Sequence, residues 1–326
     1  MERRRMLKSL LAGGLLVGLP GTLSAQTQRQ PRPQPGRATT QGVQQVGTAQ
    51  ISSPEEPVQV NPEELERVLN EWEQKTSKIE KLRGIHQRYE YDHVFNQEKR
   101  AVGSFWHEAP DKGRIDFNVD QQPEIPKDGI NPAKKGPNGQ SFHVIAEAPT
   151  MWVCNGAEIL QIDIDNKSFN QIEIPVPDRG QNIMDGPLPF LFGMKAEKLK
   201  TRYQMSLGQM HGQTDNTGRP IYHLVASPLL QSDARNWKRA EVRLDAKYCL
   251  PIAIRLIDPG GTKETVYVFP LRNMKANSPW DAIMPNPFNP RLSGFKLQQV
   301  QQAPPQQALP QQRKNVLDAN IAPQRQ

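Results

Sequence analysis

The sequence contains few of the residues that build disulfide frameworks or metal centres. Its 326 residues include two cysteines, Cys154 and Cys249, and six histidines. Neither a Cys-x-x-Cys nor a His-x-x-x-His spacing occurs, so the sequence does not indicate a zinc site. An oxidising compartment would permit one disulfide between the two cysteines. The alternative is two free thiols buried in apolar surroundings, and the sequence leaves both interpretations open.

Catalytic motifs are equally scarce. There is no Gly-x-Ser-x-Gly nucleophile turn and no glycine-rich phosphate loop. Asp163 and Asp165 are not followed by the twelve-residue loop with a closing glutamate that binds calcium. We therefore predict no catalytic residues, no metal ion and no cofactor, and we expect a protein that is not an enzyme.

Excess positive charge is missing from the body of the chain. The formal net charge is +7, of which residues 1–60 carry +4 and residues 296–326 carry +3. Residues 61–295 are therefore formally neutral. A neutral body does not match a groove that neutralises phosphates, so nucleic acid is not a predicted partner.

The N-terminus has the three-part layout of a secretory signal. Arg3, Arg4, Arg5 and Lys8 precede an apolar run over 10–23, and small residues follow at 24–25. The run is shorter than the roughly 20 residues of a membrane-spanning helix, so the cleaved chain should not be an integral membrane protein. We predict a signal peptide over 1–25, of the twin-arginine or the Sec type, and export to the periplasm or the extracellular space.

Two low-complexity tails bound the body of the protein. Residues 26–60 and 296–326 are rich in Gln and Pro and contain too little apolar surface to offset the entropy of ordering. We predict that both are disordered. Residues 61–295 remain as one domain, with an exposed Pro-, Lys- and Gly-rich insertion at 121–140.

The domain begins with one amphipathic helix. Asn61 is placed to cap it, Pro62 suits its first position, and Gly84 is expected to end it. Its apolar residues recur at helical spacing. They are Leu65, Val68, Leu69, Trp72, Ile79 and Leu82.

From Ile85 onward the hydrophobic period changes to two, which predicts β-strands. About ten strands follow, joined mostly by short turns such as Asn155-Gly156. This order predicts an α+β, mainly β fold. The expected architecture is an antiparallel meander that forms an incomplete, half-open β-barrel with the N-terminal helix as its lid.

Motifs along residues 62–290 resemble a known family. The first is a Gly-x-aromatic-x-x-x-x-Pro hairpin over 103–110, and a strand, Asn-Gly turn and strand follow over 153–160. A Leu-x-x-Ser-Pro strand occupies 224–228, and a closing strand contains 266–269. The order is similar to that of the LolA/LolB-like superfamily of outer-membrane lipoprotein carriers and receptors. The leader, tails and insertion also resemble a group of exported planctomycete proteins related to that fold.

The resemblance implies a protein that holds acyl chains inside an incomplete barrel. We therefore predict an exported, non-enzymatic binding protein for a lipid, a lipoprotein acyl chain or another apolar ligand. The alternative is an interaction or structural module of the cell envelope that has a protein partner and no small ligand. The candidate cavity residues, which in the alternative interpretation simply fill the core, are Val102, Phe105, Trp106, Ile115, Phe117, Trp152, Val153, Ile159, Phe190 and Phe192.

Overall fold

The computed structural model describes residues 61–176, 179, 196–215 and 217–302. The predicted leader and linker, most of the predicted C-terminal tail, and Phe190 and Phe192 lie outside these residues. The described chain contains three α-helices and fifteen strands. The helices are α1 (Pro62–Thr76), α2 (Ala196–Arg202) and α3 (Gln231–Ala234).

The strands follow the chain in order. The first eight are β1 (Lys81–Asp92), β2 (Gln97–Glu108), β3 (Lys112–Phe117), β4 (Ile130–Lys135), β5 (Ser141–Ala146), β6 (Thr150–Asn155), β7 (Glu158–Asp163) and β8 (Ser168–Glu173). The remaining seven are β9 (Tyr203–Leu207), β10 (Ile221–Pro228), β11 (Arg239–Asp245), β12 (Pro251–Ile257), β13 (Lys263–Val268), β14 (Lys275–Ala276) and β15 (Lys296–Gln302). Two 3₁₀ turns, Leu271–Asn273 and Pro279–Ala282, lie between β13 and β15.

Helix α1 begins where the sequence predicts. The Asn61 side-chain oxygen accepts a hydrogen bond from the Glu63 N–H at 3.0 Å, and Pro62 occupies the first helical position. The cap satisfies one of the N–H groups that a helix start leaves without a partner. The predicted start of the helix is confirmed.

The predicted end of α1 is wrong. The helix ends at Thr76 with Ser77 as its C-cap, so Ile79 lies beyond it and Leu82 belongs to β1. Gly84 lies inside β1, where an added Cβ would come within 2.8 Å of the Phe105 ring. The cause is pairing between distant segments, because residues from Lys81 onward form ladders with β2 and β14. Leu82 is nevertheless buried in the same core as the helix.

The strands form one large, mostly antiparallel sheet, as predicted. Its main order is β15-β8-β7-β6-β3-β2-β1-β13-β12-β11-β10-β9, and β4, β5 and β14 pair beside this path. The β15–β8 and β2–β5 pairs are parallel. The sheet is not closed, so the half-open mainly β fold is confirmed.

The sheet carries apolar side chains on both faces. Adjacent residues of a strand point to opposite faces, and Phe105 and Trp106 of β2 accordingly belong to two different hydrophobic clusters. We call the face that packs against α1 the helix face and the other the opposite face. Each face needs its own cover, because a wide apolar surface is unstable in water.

Helix α1 covers the helix face. Val68, Leu69 and Trp72 are almost fully buried in its core. Other members of that core include Phe105, Ile115, Phe117, Tyr203, Leu224, Trp237, Ile254, Tyr267 and Phe269. Polar contacts hold the helix along its length: the His211 ring lies 2.9 Å from Glu64, and the Tyr222 hydroxyl donates to Glu71 at 2.9 Å.

The irregular segment 279–295, named here the closing segment, covers part of the opposite face. Phe288 is buried against Met151 and Val153 of β6 and Leu160 and Ile162 of β7. Leu292 and Phe295 pack beside it, together with Trp106 and Phe169 of the sheet. The C-terminal part of the domain therefore shields part of this face from water, as α1 shields the helix face.

Two predicted irregular regions contain strands. Residues 296–302, which the sequence places in the disordered tail, form β15 against β8. The predicted insertion 121–140 contains β4, where Asn131 is buried because its side chain hydrogen-bonds to the buried Glu98. In both places backbone pairing or a buried polar partner orders a segment whose composition is typical of loops. None of the described helices is long and apolar enough to span a bilayer.

The packing of α1 gives a stability prediction. Leu69→Ala removes a fully buried side chain from the helix face and should lower the free energy of unfolding by about 3 kcal/mol. Asn70→Ala, on the exposed side of the same turn, should change it by less than about 0.5 kcal/mol. Denaturant unfolding of both variants measures the difference. Equal effects would contradict the assignment of α1 as a cover.

Candidate functional site

The residues predicted to line one cavity lie on two different faces of the sheet. Phe105, Ile115 and Phe117 are buried in the helix-face core, and Trp152 packs against it. Ile159 precedes Leu160 of the opposite face, so its partly buried side chain points to the helix face. The sequence analysis grouped these residues because all are apolar, but adjacent residues of a strand point to opposite faces and therefore cannot line the same cavity.

Three predicted cavity residues point the other way. Trp106 and Val153 belong to the opposite-face cluster, and Val102 shares the Trp106 side of β2. On the helix face, the side chains under α1 contact one another directly, and Val68, Leu69 and Phe105 have no exposed surface.

A pocket does occur on the other side, where the closing segment meets the sheet. Its volume is about 240 Å³, and it lies between the start of β1, the end of β2 and residues 281–288. Its lining residues are Lys81, Leu82, Arg83, Trp106, His107, Glu108, Asp281, Met284, Pro285, Asn286, Pro287 and Phe288. Trp106 is the only predicted cavity residue among them.

Apolar groups form much of the pocket wall. Trp106 and Phe288 supply aromatic surface, and Met284 supplies a flexible thioether side chain. The Arg114 guanidinium carbon lies 5.0 Å from the centre of the Trp106 ring, and its Nη1 donates to the Pro287 carbonyl at 3.1 Å. Arg114 therefore joins the aromatic wall to the closing segment.

Charged groups surround this apolar wall. Arg83 Nε donates to Asp281 Oδ1 at 2.6 Å, and Glu108 lies 3.3 Å from Lys81 and 2.8 Å from Lys112. The second Asp281 oxygen, Oδ2, is buried and has no hydrogen-bond partner among the described residues. The pocket wall thus combines apolar surface with charged side chains.

Asn277 fixes the position of the closing segment. Its Oδ1 accepts hydrogen bonds from the N–H groups of Glu80 at 2.9 Å and Lys81 at 3.0 Å. Its Nδ2 donates to the Lys78 carbonyl at 2.7 Å. One side chain therefore connects the residues just before the closing segment to the start of β1.

His107 lies in the pocket wall in its neutral form at pH 7. Its Nδ1 donates to the Lys112 carbonyl at 3.1 Å. Burial lowers the pKa of His107 to about 4, because removing water disfavours the charged ring. The histidine therefore adds no positive charge to the pocket near neutral pH.

The two cysteines are free thiols. Cys154 lies near the end of β6 and Cys249 follows β11, with five strands between these two in the sheet order. The disulfide considered from sequence is not formed, and the other interpretation, two buried thiols, is the observed one. Burial raises the pKa of each to about 11, so neither is a thiolate near neutral pH. No three His, Cys, Asp or Glu side chains of the described residues are grouped to hold a metal ion.

Sequence patterns did not predict the pocket. The available signal was the closing segment, where Trp280 and Phe288 stand among Pro279, Pro285 and Pro287. Its lining comes from residues about 200 positions apart, and no spacing rule connects them.

No protein-family model matches the sequence, and no curated protein matches it. Solved structures with a similar arrangement include a conserved protein from Thermus thermophilus, with 8% identity and a TM-score of 0.38 over 72% of this chain and 98% of that one. An outer membrane lipoprotein-sorting protein domain from Vibrio parahaemolyticus is 13% identical with a TM-score of 0.32, covering 67% of this chain and 94% of that one. A LolA superfamily protein from Nitrosomonas europaea is 7% identical with a TM-score of 0.32, covering 69% of this chain and 99% of that one. The neighbours thus include the superfamily that the sequence motifs resemble.

The Arg83–Asp281 ion pair gives the first prediction for this site. Arg83→Met should loosen the closing segment, because it leaves a largely buried carboxylate without its partner. Amide exchange at residues 280–288 should become roughly tenfold faster, which corresponds to about 1.4 kcal/mol. Lys275→Met, at an exposed position on nearby β14, should leave these amides unchanged. Unaltered exchange in Arg83→Met would show that other contacts hold the segment.

The second prediction concerns His107. An NMR titration should give its pKa near 4, whereas histidine in an unfolded chain titrates near about 6.5. Because the folded-state pKa is lowered, the neutral ring contributes its full stability above about pH 6.5, and this contribution is lost as pH falls toward 4. The His107→Gln variant assigns the resonance. A midpoint near 6.5 would mean that the ring is in water.

Proposed function

We propose that this protein is an exported, non-enzymatic binding protein of the cell envelope that holds an acyl chain or a similar apolar ligand. The observation that carries the proposal is the pocket between the closing segment and the sheet, with Trp106, Met284 and Phe288 in its wall. Small-molecule sites are typically concave and mostly apolar, with a few polar groups that orient the ligand. This pocket has both components.

The apolar wall suits a hydrocarbon chain. Each methylene group that leaves water for such a wall contributes about 0.8 kcal/mol. The flexible Met284 side chain lets the wall adapt to chains of different shape. The affinity for a ligand would therefore change gradually with the length and branching of its hydrocarbon chain.

The polar groups suit a ligand with a hydrogen-bonding head. Lys81, Glu108 and Asn286 lie in the pocket wall and carry hydrogen-bond donors and acceptors. An acyl amide or ester with a nearby hydroxyl has the matching chemistry. Lipids and acylated proteins both carry such groups.

The sequence supports the location. The basic and apolar leader is typical of an exported chain, and the ordered hairpin motifs resemble those of the lipoprotein carriers. The described residues supply no cluster for metal chemistry. These features favour binding in the envelope over catalysis.

The experiment has two parts. Mass spectrometry of an organic extract of the purified protein should detect bound lipid. Titration with a fluorescent long-chain fatty acid then compares wild type with Met284→Glu, which places a charged group in the apolar wall and should weaken binding at least about tenfold.

Leu229→Glu is the matched control, since Leu229 is 40% exposed and Met284 43% exposed, and Leu229 does not line the pocket. Its affinity should stay within about twofold of wild type. A lipid-free extract together with equal fatty-acid affinity in all three proteins would reject the proposal. It would favour the envelope interaction module, whose partner would then be sought by pull-down.

A further inference from the structure

The closing segment exposes three large apolar side chains beside the pocket. Trp280 is 68% exposed, Ile283 74% and Met284 43%. They lie on the 3₁₀ turn Pro279–Ala282 and the two residues after it. Single exposed apolar residues are ordinary on a protein surface, whereas neighbouring ones that form a contiguous patch are typical of an interaction surface.

The closing segment and its flanking residues carry a net positive charge. Residues 271–296 contain four cations and one anion, Asp281, which is already paired with Arg83. The cations are Arg272, Lys275, Arg291 and Lys296, and all four are exposed. The segment therefore combines apolar tips with a net positive charge, which complements an anionic surface with an apolar interior.

We infer that the closing segment docks the protein on an anionic lipid membrane, with Trp280 and Ile283 entering the interfacial layer. Tryptophan is favoured at this depth because its ring is apolar and its N–H is polar. Basic residues near the surface add electrostatic attraction to anionic lipids. Docking goes beyond ligand holding: it brings the mouth of the pocket to the surface from which a lipid chain would come.

The segment is held firmly enough to act as a fixed anchor. Asn277, just before the segment, accepts a hydrogen bond from the start of β1. Within the segment, Asp281 accepts a hydrogen bond from Arg83 and the Pro287 carbonyl accepts one from Arg114. Neither Trp280 nor Ile283 lines the pocket. Membrane docking and ligand binding can therefore be changed separately.

Vesicle flotation with the full chain tests the inference. Wild type should bind vesicles that contain phosphatidylglycerol more strongly than vesicles of phosphatidylcholine alone. The double variant Trp280→Ser/Ile283→Ser should lose about tenfold in partitioning to the anionic vesicles. Leader and tails are identical in all variants, so the difference reports on the closing segment.

The control is Val94→Ser/Phe95→Ser. These residues are 63% and 76% exposed and follow the far end of β1, about 40 Å from the Asn277 attachment for a twelve-residue strand. Their loss should change partitioning by less than about twofold. A charge variant, Lys275→Glu/Arg291→Glu, should weaken binding to the anionic vesicles and leave binding to the neutral ones unchanged.

Three outcomes would overturn the inference. They are no binding of wild type to anionic vesicles, equal loss in the two serine double variants, and no preference for anionic lipid. The fatty-acid titration in solution tests the ligand proposal independently of vesicle binding. Retained fatty-acid affinity without vesicle binding would reject docking alone, and vesicle binding without fatty-acid affinity would reject the ligand proposal alone.

Discussion

A sheet that is apolar on both faces must be covered twice, and most of this structure follows from that constraint. Residues that alternate along β2 and β6 belong to separate hydrophobic clusters, so no single element can shield them. Helix α1 shields one face. The closing segment shields part of the other, although it contains no α-helix or long strand. The two covers come from opposite ends of the domain.

The two covers differ in regularity. A regular amphipathic helix presents a continuous apolar stripe, and Val68, Leu69 and Trp72 of α1 are buried against the sheet. A proline-rich segment lacks that regular stripe, so Phe288 is buried while Met284 and Trp280 stay partly or largely exposed. Asn277, Arg83 and Arg114 then hold the segment at specific points. Between those points the wall stays open.

The two faces of the sheet contribute differently to the proposed function. The helix-face core provides a stable support, and its polar flanks bind α1 through contacts such as Tyr222 to Glu71. The closing segment combines an apolar pocket wall and exposed apolar tips in one region. The proposed ligand site and the proposed membrane-facing tips thus lie on the same cover, and Met284 belongs to both.

The sequence by itself determined the local features. Asn61 and Pro62 started the helix, the period-two pattern identified the main strands, and Asn155-Gly156 marked a hairpin, because each signal acts through neighbouring residues. Only the tertiary structure decided that Leu82 is in a strand and that residues 296–302 pair with β8. It also decided that Phe105 and Trp106 belong to different hydrophobic clusters and that a pocket lies beside Asp281. These outcomes depend on partners such as Asn277 and Lys81, which are 196 positions apart. Periodicity shows that a residue prefers burial, but the partner that buries it is chosen by long-range pairing.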